Sequence, residues 1–153
     1  MVPRFAELDL SPDVVSDQEM GLAYEELVWR LIDTAPEESG EHTSPRDVTK
    51  LAARPLLGPD AAMLDRSGAP ITVHDPCCGT GGMFTAVEDF ERGLGSPPEV
   101  TVFGQEINSE CRAMARSARM MAGADPTVIL SGHVLSEDRY RGEAFDYLLS
   151  NPP

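Results

Sequence analysis

The residues best suited to chemistry lie between Asp75 and Gly82, in a loop that reads Asp-Pro-Cys-Cys-Gly-Thr-Gly-Gly. Its glycines can bring the backbone close to a ligand. The loop has no Gly-Lys-Ser/Thr ending, and Phe84 stands where the dinucleotide-binding pattern needs Gly or Ala. A loop without a cation suits a ligand with an amino-acid end and a nucleoside end, such as S-adenosylmethionine. Taken alone, however, such a loop is more often a plain tight turn.

A second candidate group is the sequence Asn-Pro-Pro at residues 151–153, directly after an apolar run. An aromatic amine is a poor nucleophile because its lone pair is delocalised into the ring. The Asn151 side-chain carbonyl and the Pro152 backbone carbonyl could accept its two hydrogens and favour a more pyramidal nitrogen. Alone, the tripeptide indicates a turn after an edge strand. Together with the glycine loop, it predicts methyl transfer to a planar nitrogen, with Asn151, Pro152 and Pro153 as the catalytic segment.

The surrounding elements should bring these two groups to one edge of a sheet. Short apolar and β-branched runs predict strands at residues 71–73, 100–103, 128–130 and 145–150. Helical spacing at residues 83–90 and 111–121 separates the first three of them. This alternation predicts an α/β, Rossmann-like fold with a mostly parallel sheet and a ligand site at the carboxyl ends of the strands. Glu106, at the tip of the second strand, is placed to accept ribose hydroxyls, or else to cap the following helix.

The N-terminal part of the chain predicts two helices. The first follows a capping box formed by Ser16 and Glu19. The second is predicted to begin with Ser44 as its cap and Pro45 at its first position, and to be broken at Pro55. A short turn of helix is predicted near residues 61–64, within a linker.

Helical spacing also predicts which side chains face the core. The predicted core-facing residues of the first helix are Met20, Ala23, Tyr24, Leu27, Val28 and Leu31, and those of the helix after the second strand are Cys111, Met114, Ala118 and Met121. Solvated positions are predicted for Glu25, Glu26, Arg112, Arg116 and Arg119.

Four segments, taken in order, resemble the methylation subunit of type I restriction-modification systems. They are residues 40–46 (Gly-Glu-His-Thr-Ser-Pro-Arg), 75–82, 103–106 and 145–153. Members of that family are N6-adenine DNA methyltransferases that use S-adenosylmethionine. The resemblance therefore implies a class I S-adenosylmethionine-dependent methyltransferase fold and methylation of adenine N6 in DNA.

The resemblance also implies which residues bind the cofactor. Residues 40–46 would lie over its methionine end, with Thr43 and Ser44 standing where the family has an aromatic residue and a threonine. Ile107 would flank the adenine, and His133 stands where the family has Asp or Asn, so a neutral imidazole nitrogen would accept a bond from the adenine amino group. The predicted cofactor-binding residues are Thr43, Ser44, Pro45, Asp75, Cys77, Gly79, Thr80, Gly81, Gly82, Glu106, Ile107, His133 and Val134.

The resemblance covers this chain but only part of the family protein. Residues 1–60 are predicted as a helical lead-in that covers the cofactor site, and residues 61–153 as the first half of the methyltransferase domain, with strands one to four. The family follows Asn-Pro-Pro with an aromatic residue that stacks on the flipped-out base. Without it and the later strands, the chain alone is expected to be inactive. Two alternatives stay open: methylation of a protein glutamine or an RNA nitrogen, and a non-catalytic remnant or interaction fragment.

Charge limits the partners that this chain can bind alone. Its 12 Lys and Arg against 26 Asp and Glu give a net charge of −14 and a pI of about 4.4. Such a chain is repelled by DNA at long range, so another polypeptide or segment must supply the basic surface. In type I systems a separate specificity subunit reads the DNA, and the resemblance implies that subunit and a restriction subunit as partners.

The remaining composition favours a soluble cytoplasmic protein. The three cysteines, Cys77, Cys78 and Cys111, are an odd number with two adjacent, which argues against a disulfide framework. Zinc-ligand spacing is missing from the sequence, so no metal is predicted. No apolar run is long enough to cross a bilayer, and the N-terminus lacks a signal-peptide pattern.

Overall fold

Four parallel strands form the sheet that carries the candidate site. In the computed structural model, which describes residues 6–33, 44–67 and 69–153, the strand order is β3-β2-β1-β4. Ile71 is in register with Val100, and Val73 with Tyr147. The strands are β1 (Ile71–Asp75), β2 (Val100–Glu106), β3 (Ile129–Ser131) and β4 (Tyr147–Leu148). The α/β architecture with a parallel sheet is confirmed, although the fourth strand is much shorter than predicted.

The described part of the chain contains five α-helices: α1 (Asp17–Asp33), α2 (Arg46–Leu57), α3 (Ala61–Ser67), α4 (Gly82–Arg92) and α5 (Ser109–Met121). The predicted capping box of α1 is present, because Ser16 Oγ accepts from the Glu19 N–H and the Glu19 carboxylate accepts from the Ser16 N–H. Asn108 caps α5 by accepting from two backbone N–H groups. A left-handed Gly123 (φ 69°) follows the end of α5.

Packing overrides a local signal in α2. Pro55 was predicted to break this helix, yet α2 continues through it to Leu57. Ala53 and Leu57 are almost completely buried on the inner face of α2, and their burial stabilises the last turn. Pro55 lies in that turn, so only one hydrogen bond, to the carbonyl of residue 51, is lost.

The predicted core-facing side of α1 is only partly correct. Val28 is buried as predicted, but Leu27 and Leu31 are 47% and 64% exposed, and Gly21, which was not predicted, is buried. Gly21 lies against Ala122, just beyond the end of α5. The inward side of α1 therefore follows positions 21, 25 and 28, which share one face at a spacing of three and four residues.

That rotation carries Glu25 inward, although a solvated position was predicted. The Thr85 hydroxyl, in the first turn of α4, donates to the Glu25 carboxylate. Burial raises the pKa of Glu25 above its usual range. The first helix is thus joined by a polar contact to the helix that follows the glycine loop.

The core lies between the sheet and α2, α4 and α5. Val73, Val102 and Phe84 are among its buried side chains. Ala115 is the buried residue of α5, whereas Met121 of the predicted seam is 41% exposed. Arg119 was predicted to be solvated but is mostly buried in an ion pair with Glu88 of α4.

Gly104 allows the closest approach within this core. A Cβ added there would lie 2.9 Å from both Cys78 Sγ and Ile129 Cδ1. The opposite face of the sheet carries stacked and edge-on aromatic contacts among His74, Tyr140 and Phe145.

Candidate active site

A cavity of about 590 Å³ opens at the carboxyl ends of the four strands. It is lined by the glycine loop after β1, by the end of β2, by the loop after β3 and by the segment after β4. The start of α2 closes one side through Ser44 and Thr49. The site residues that were predicted from the sequence and that line this cavity are Ser44, Asp75, Cys77, Gly79, Thr80, Gly82, Glu106, Ile107, His133, Val134, Asn151, Pro152 and Pro153.

Two of the other predicted residues are placed differently. Pro45 and Gly81 stand beside the cavity in sequence but do not line it. Gly81 instead takes a left-handed conformation (φ 94°) at the N-terminus of α4, and the Pro45 carbonyl accepts from the first N–H groups of α2. Thr43 lies outside the described residues.

Glu106 ties the glycine loop to the tip of β2. Its two carboxylate oxygens accept from the Gly79 N–H at 2.8 Å and from the Asn108 N–H at 2.7 Å. The alternative role as cap of α5 is excluded, since Asn108 caps that helix. Each carboxylate oxygen keeps a further lone pair, so Glu106 can accept from a ligand hydroxyl without releasing the loop.

Asp75 places a second carboxyl group in the cavity wall. Its side chain is 1% exposed and accepts from the Cys77 N–H at 3.0 Å. Burial raises the pKa of Asp75 to about 6, and the nearby Glu106 charge adds to this effect, while the Ser150 hydroxyl and the Cys77 N–H oppose it. Among the described residues, no lysine or arginine lines this cavity. The lining is therefore suited to a cationic ligand and unsuited to a phosphate.

Asn151 and Ser44 meet across the cavity. Asn151 Nδ2 donates to Ser44 Oγ at 2.8 Å. Ser44 was predicted to cap α2, but Pro45 occupies the cap position and makes no side-chain cap bond. A contact between distant parts of the chain has replaced the local one.

His133 lies at the β3 end of the cavity with one ring nitrogen already engaged. Its Nδ1 accepts from the Leu135 N–H at 3.2 Å. A neutral imidazole has one donor and one acceptor nitrogen, so Nε2 carries the proton here. His133 thus offers a donor to the cavity, and the predicted role as an acceptor for an amino group does not fit this arrangement.

The sequence reasoning missed several lining residues. Thr49 is one of them: it is 3% exposed and its hydroxyl donates to the Arg46 carbonyl. It lies one helical turn after Pro45, and this spacing was the available signal. Asn108 and Cys111 at the start of α5 also line the cavity. They belong to the helix that follows the tip of β2, where side chains face the same sheet edge.

Two other features are absent from the described residues. No helix among them has the length and apolar character needed to span a membrane. No cluster of three or more His, Cys, Asp or Glu side chains within residues 6–33, 44–67 and 69–153 is arranged to hold a metal ion.

Comparison with known proteins supports the same fold and family. The chain is 24% identical, over its whole length and 26% of the relative, to the type I restriction enzyme MjaIX methylase subunit of Methanocaldococcus jannaschii. It superposes on the methyltransferase subunit of a Streptococcus thermophilus type I restriction-modification system with a TM-score of 0.77, at 25% identity, covering 98% of this chain and 30% of that one.

A third comparison shows the fold alone. A structure described as a class I S-adenosylmethionine-dependent methyltransferase from Listeria monocytogenes matches with a TM-score of 0.70 at 14% identity, covering 97% of this chain and 42% of that one. The chain thus spans about a quarter to two fifths of the length of these relatives.

The family model for N-6 DNA methylases matches residues 15–153, which include the glycine loop, Glu106 and the Asn-Pro-Pro segment. The match extends over most of the chain, and the same residues line the cavity at the sheet edge. The chain therefore belongs to the N-6 DNA methylase family.

Proposed function

We propose that this chain forms the cofactor-binding and catalytic part of an enzyme that transfers a methyl group from S-adenosylmethionine to N6 of adenine in DNA. One observation carries the proposal. The four strands are neighbours in the order β3, β2, β1 and β4. His133 follows β3, Glu106 ends β2, the glycine loop follows β1 and Asn151 follows β4, and all four line the cavity. A nucleoside bound near β3 and β2 would therefore extend its amino-acid end to β1 and its reactive centre toward β4.

The cavity fits S-adenosylmethionine in size and charge. Its volume of about 590 Å³ lies within the usual range for small-molecule sites. Gly79 takes a left-handed conformation (φ 55°), and among the described residues no atom beyond its chain neighbours lies within 4 Å of the position that a Cβ would occupy, so a ligand can approach this glycine closely. When bound, S-adenosylmethionine supplies an electrophilic methyl group on a positively charged sulfur. Asp75 and Glu106 provide negative charge near that ligand, and the Glu106 oxygens are available to the ribose hydroxyls.

Asn151 and Pro152 would prepare the adenine amine. The Asn151 Oδ1 and the Pro152 carbonyl oxygen each accept one amine hydrogen, which draws the lone pair out of conjugation with the ring. The nitrogen would attack the methyl carbon as the bond from that carbon to the sulfonium sulfur breaks, so S-adenosylhomocysteine would be the leaving group. The surplus proton of the amine would pass to water, because residues 151–153 are exposed. Ile107 and Val134 offer apolar surface to the cofactor base.

The partners follow from charge and from the relatives. A net charge of −14 opposes binding to DNA, so we infer that a specificity subunit supplies the basic, DNA-reading surface. Its two relatives named above belong to type I systems, which supports a restriction subunit as a further partner. Cys77, Cys78 and Cys111 form no disulfide, in keeping with a cytoplasmic location.

The domain division is part of this proposal. Residues 1–60 would cover the cofactor site, and residues 61–153 would form the first half of the methyltransferase domain. Ser44 and Thr49 support the first statement because both line the cavity that the strand ends create.

A methyl-transfer assay tests the proposed function. The protein expressed from its own gene, with its native partner polypeptides, is incubated with methyl-labelled S-adenosylmethionine and unmethylated DNA. Mass spectrometry of the digested DNA should show N6-methyladenine, and Asn151→Ala should reduce its formation by at least about 100-fold. Parallel reactions contain RNA or a glutamine-bearing protein. Label in either of these instead of DNA would reject adenine in DNA as the substrate, and label nowhere would favour a non-catalytic role.

A further inference from the structure

We propose that Ser44 is a positioning residue for Asn151. In this view the Ser44 hydroxyl holds the NH2 end of the Asn151 amide and leaves the amide oxygen facing the amine to be methylated. The nature of that amine rests on the proposed function, whereas the contact itself does not. This assigns Ser44 to the target side of the reaction and not to the cofactor.

The contact joins two segments that are 107 positions apart in the sequence. Asn151 follows a strand of only two residues, and the nearest backbone bond before it runs from the Leu149 N–H to the His74 carbonyl at 3.0 Å. The Asn151 side chain is exposed, so packing does not determine its orientation. The 2.8 Å bond to Ser44 Oγ is the polar contact available to do so.

Ser44 directly precedes Pro45, the residue at the N-cap of α2. The Pro45 carbonyl accepts from the Val48 and Thr49 N–H groups at 2.9 and 3.0 Å. Proline at position 45 also fixes the backbone torsion next to Ser44. Because Ser44 does not cap the helix, its hydroxyl is available to Asn151. A rigid element therefore presents this oxygen to a side chain that would otherwise rotate freely.

The orientation of the amide matters for the chemistry. A carboxamide has a donor end and an acceptor end that differ little in shape. Turned the wrong way, Asn151 would point its own N–H groups at the N–H groups of an amine, and the two sets of donors would repel each other. With the NH2 end bonded to Ser44 Oγ, the amide stands in the productive orientation before the target arrives. Such pre-organisation acts on the chemical step more than on cofactor affinity.

The test compares Ser44→Ala, which removes the hydroxyl, with Ser44→Thr, which keeps it. Methyl transfer is measured with the protein expressed from its own gene and its native partner polypeptides. We expect Ser44→Ala to lower kcat about 10- to 100-fold while the KM for S-adenosylmethionine changes less than about 3-fold. Ser44→Thr should recover most of the rate. Ser96→Ala, an exposed serine in the turn before β2, is the matched control and should behave like the wild type.

A double mutant separates positioning from a general structural effect. Once Asn151 is alanine, removal of the Ser44 hydroxyl should cause no further loss of rate, because the two residues act as one unit. If the rate losses of Ser44→Ala and Asn151→Ala multiply in the double mutant, the proposal is overturned. So would a Ser44→Ala defect that saturating S-adenosylmethionine restores, since Ser44 would then be a cofactor ligand.

An NMR measurement on the isolated chain is independent of catalysis. The Asn151 side-chain NH2 signals are assigned by their disappearance in Asn151→Asp. They should move in Ser44→Ala and stay close to their wild-type positions in Ser44→Thr and Ser96→Ala. Unchanged signals in Ser44→Ala would refute the contact. If the signals move as expected but the wild type methylates no substrate, the proposed function fails while the contact stands.

Discussion

The buried carboxyl group of Asp75 makes the stability of this protein depend on pH. Asp75 is 1% exposed, and burial raises its pKa from 3.8 to about 6. In the unfolded chain the pKa returns to its ordinary value. The folded-state pKa of Asp75 is the higher one, so the stability that its protonated carboxyl group contributes is fully present below about pH 4. This contribution is lost as the pH rises through 6. The rise in pKa from 3.8 to about 6 corresponds to about 3 kcal/mol in the free energy of unfolding, because solvent screens a buried carboxyl group little.

The substitution Asp75→Asn removes the free-energy cost of ionising a buried carboxyl group, while it keeps the shape of the side chain. An amide oxygen at the same position can still accept from the Cys77 N–H. We expect the variant to be more stable than the wild type by about 3 kcal/mol at pH 7.5 and by about half of that at pH 5. Urea unfolding, followed by fluorescence of the single tryptophan, Trp29, measures both free energies of unfolding. Asp13→Asn, which removes an exposed carboxylate, is the control.

The same variant should lose affinity for the cofactor. Burial disfavours the ionised form of Asp75, but the ionised carboxylate attracts a cationic ligand. We expect calorimetry to show binding of S-adenosylmethionine weakened at least about 10-fold in Asp75→Asn at pH 7.5. The reasoning is refuted if Asp75→Asn is no more stable than the wild type at pH 7.5. It is also refuted if the difference between their free energies of unfolding does not become smaller as the pH falls.

Two further predictions concern the core and the β3 end of the cavity. Gly104→Ala should lower the free energy of unfolding by about 1–3 kcal/mol, because its Cβ would lie 2.9 Å from two buried side chains, whereas Gly58→Ala, which meets open space, should change it by less than about 0.5 kcal/mol. Equal effects in urea unfolding would contradict the packing argument. His133→Ala should weaken S-adenosylhomocysteine binding several-fold in calorimetry through loss of the Nε2 donor, and unchanged affinity would remove His133 from the site.

The first three strands and the glycine loop were predicted well from the sequence because their signals are local. The β-branched residues of β1 favour an extended backbone, and Gly79 and Gly81 take positive φ angles that other residues avoid. The Asn108 cap and the Ser16–Glu19 capping box are likewise set by neighbours in the chain. Local rules of this kind also predicted a site at the carboxyl edge of the sheet.

The errors arose where distant contacts competed with local rules. The apolar pattern of α1 did not show which face meets α5, since Leu27 and Val28 are both apolar and only Val28 is buried. Ser44 has the sequence context of a helix cap, but Asn151, far along the chain, takes its hydroxyl. The position of Nε2 on His133 follows from a bond to Leu135 that the sequence does not indicate. Each error concerns a partner that only the folded chain identifies.

The strand order also bears on how a target base reaches the site. β1 lies between β2 and β4, so the glycine loop separates Glu106 and His133 on one side from Asn151 on the other. β4 is at the edge of the sheet, Leu148 within it is 61% exposed, and residues 151–153 are exposed as well. If the chain acts as proposed, a base that meets Asn151 would enter from the β4 side of these four strands, and the cofactor would lie on the side of β2 and β3. Because the chain carries a net charge of −14, we expect the proposed DNA-delivering partner to direct a basic surface at β4.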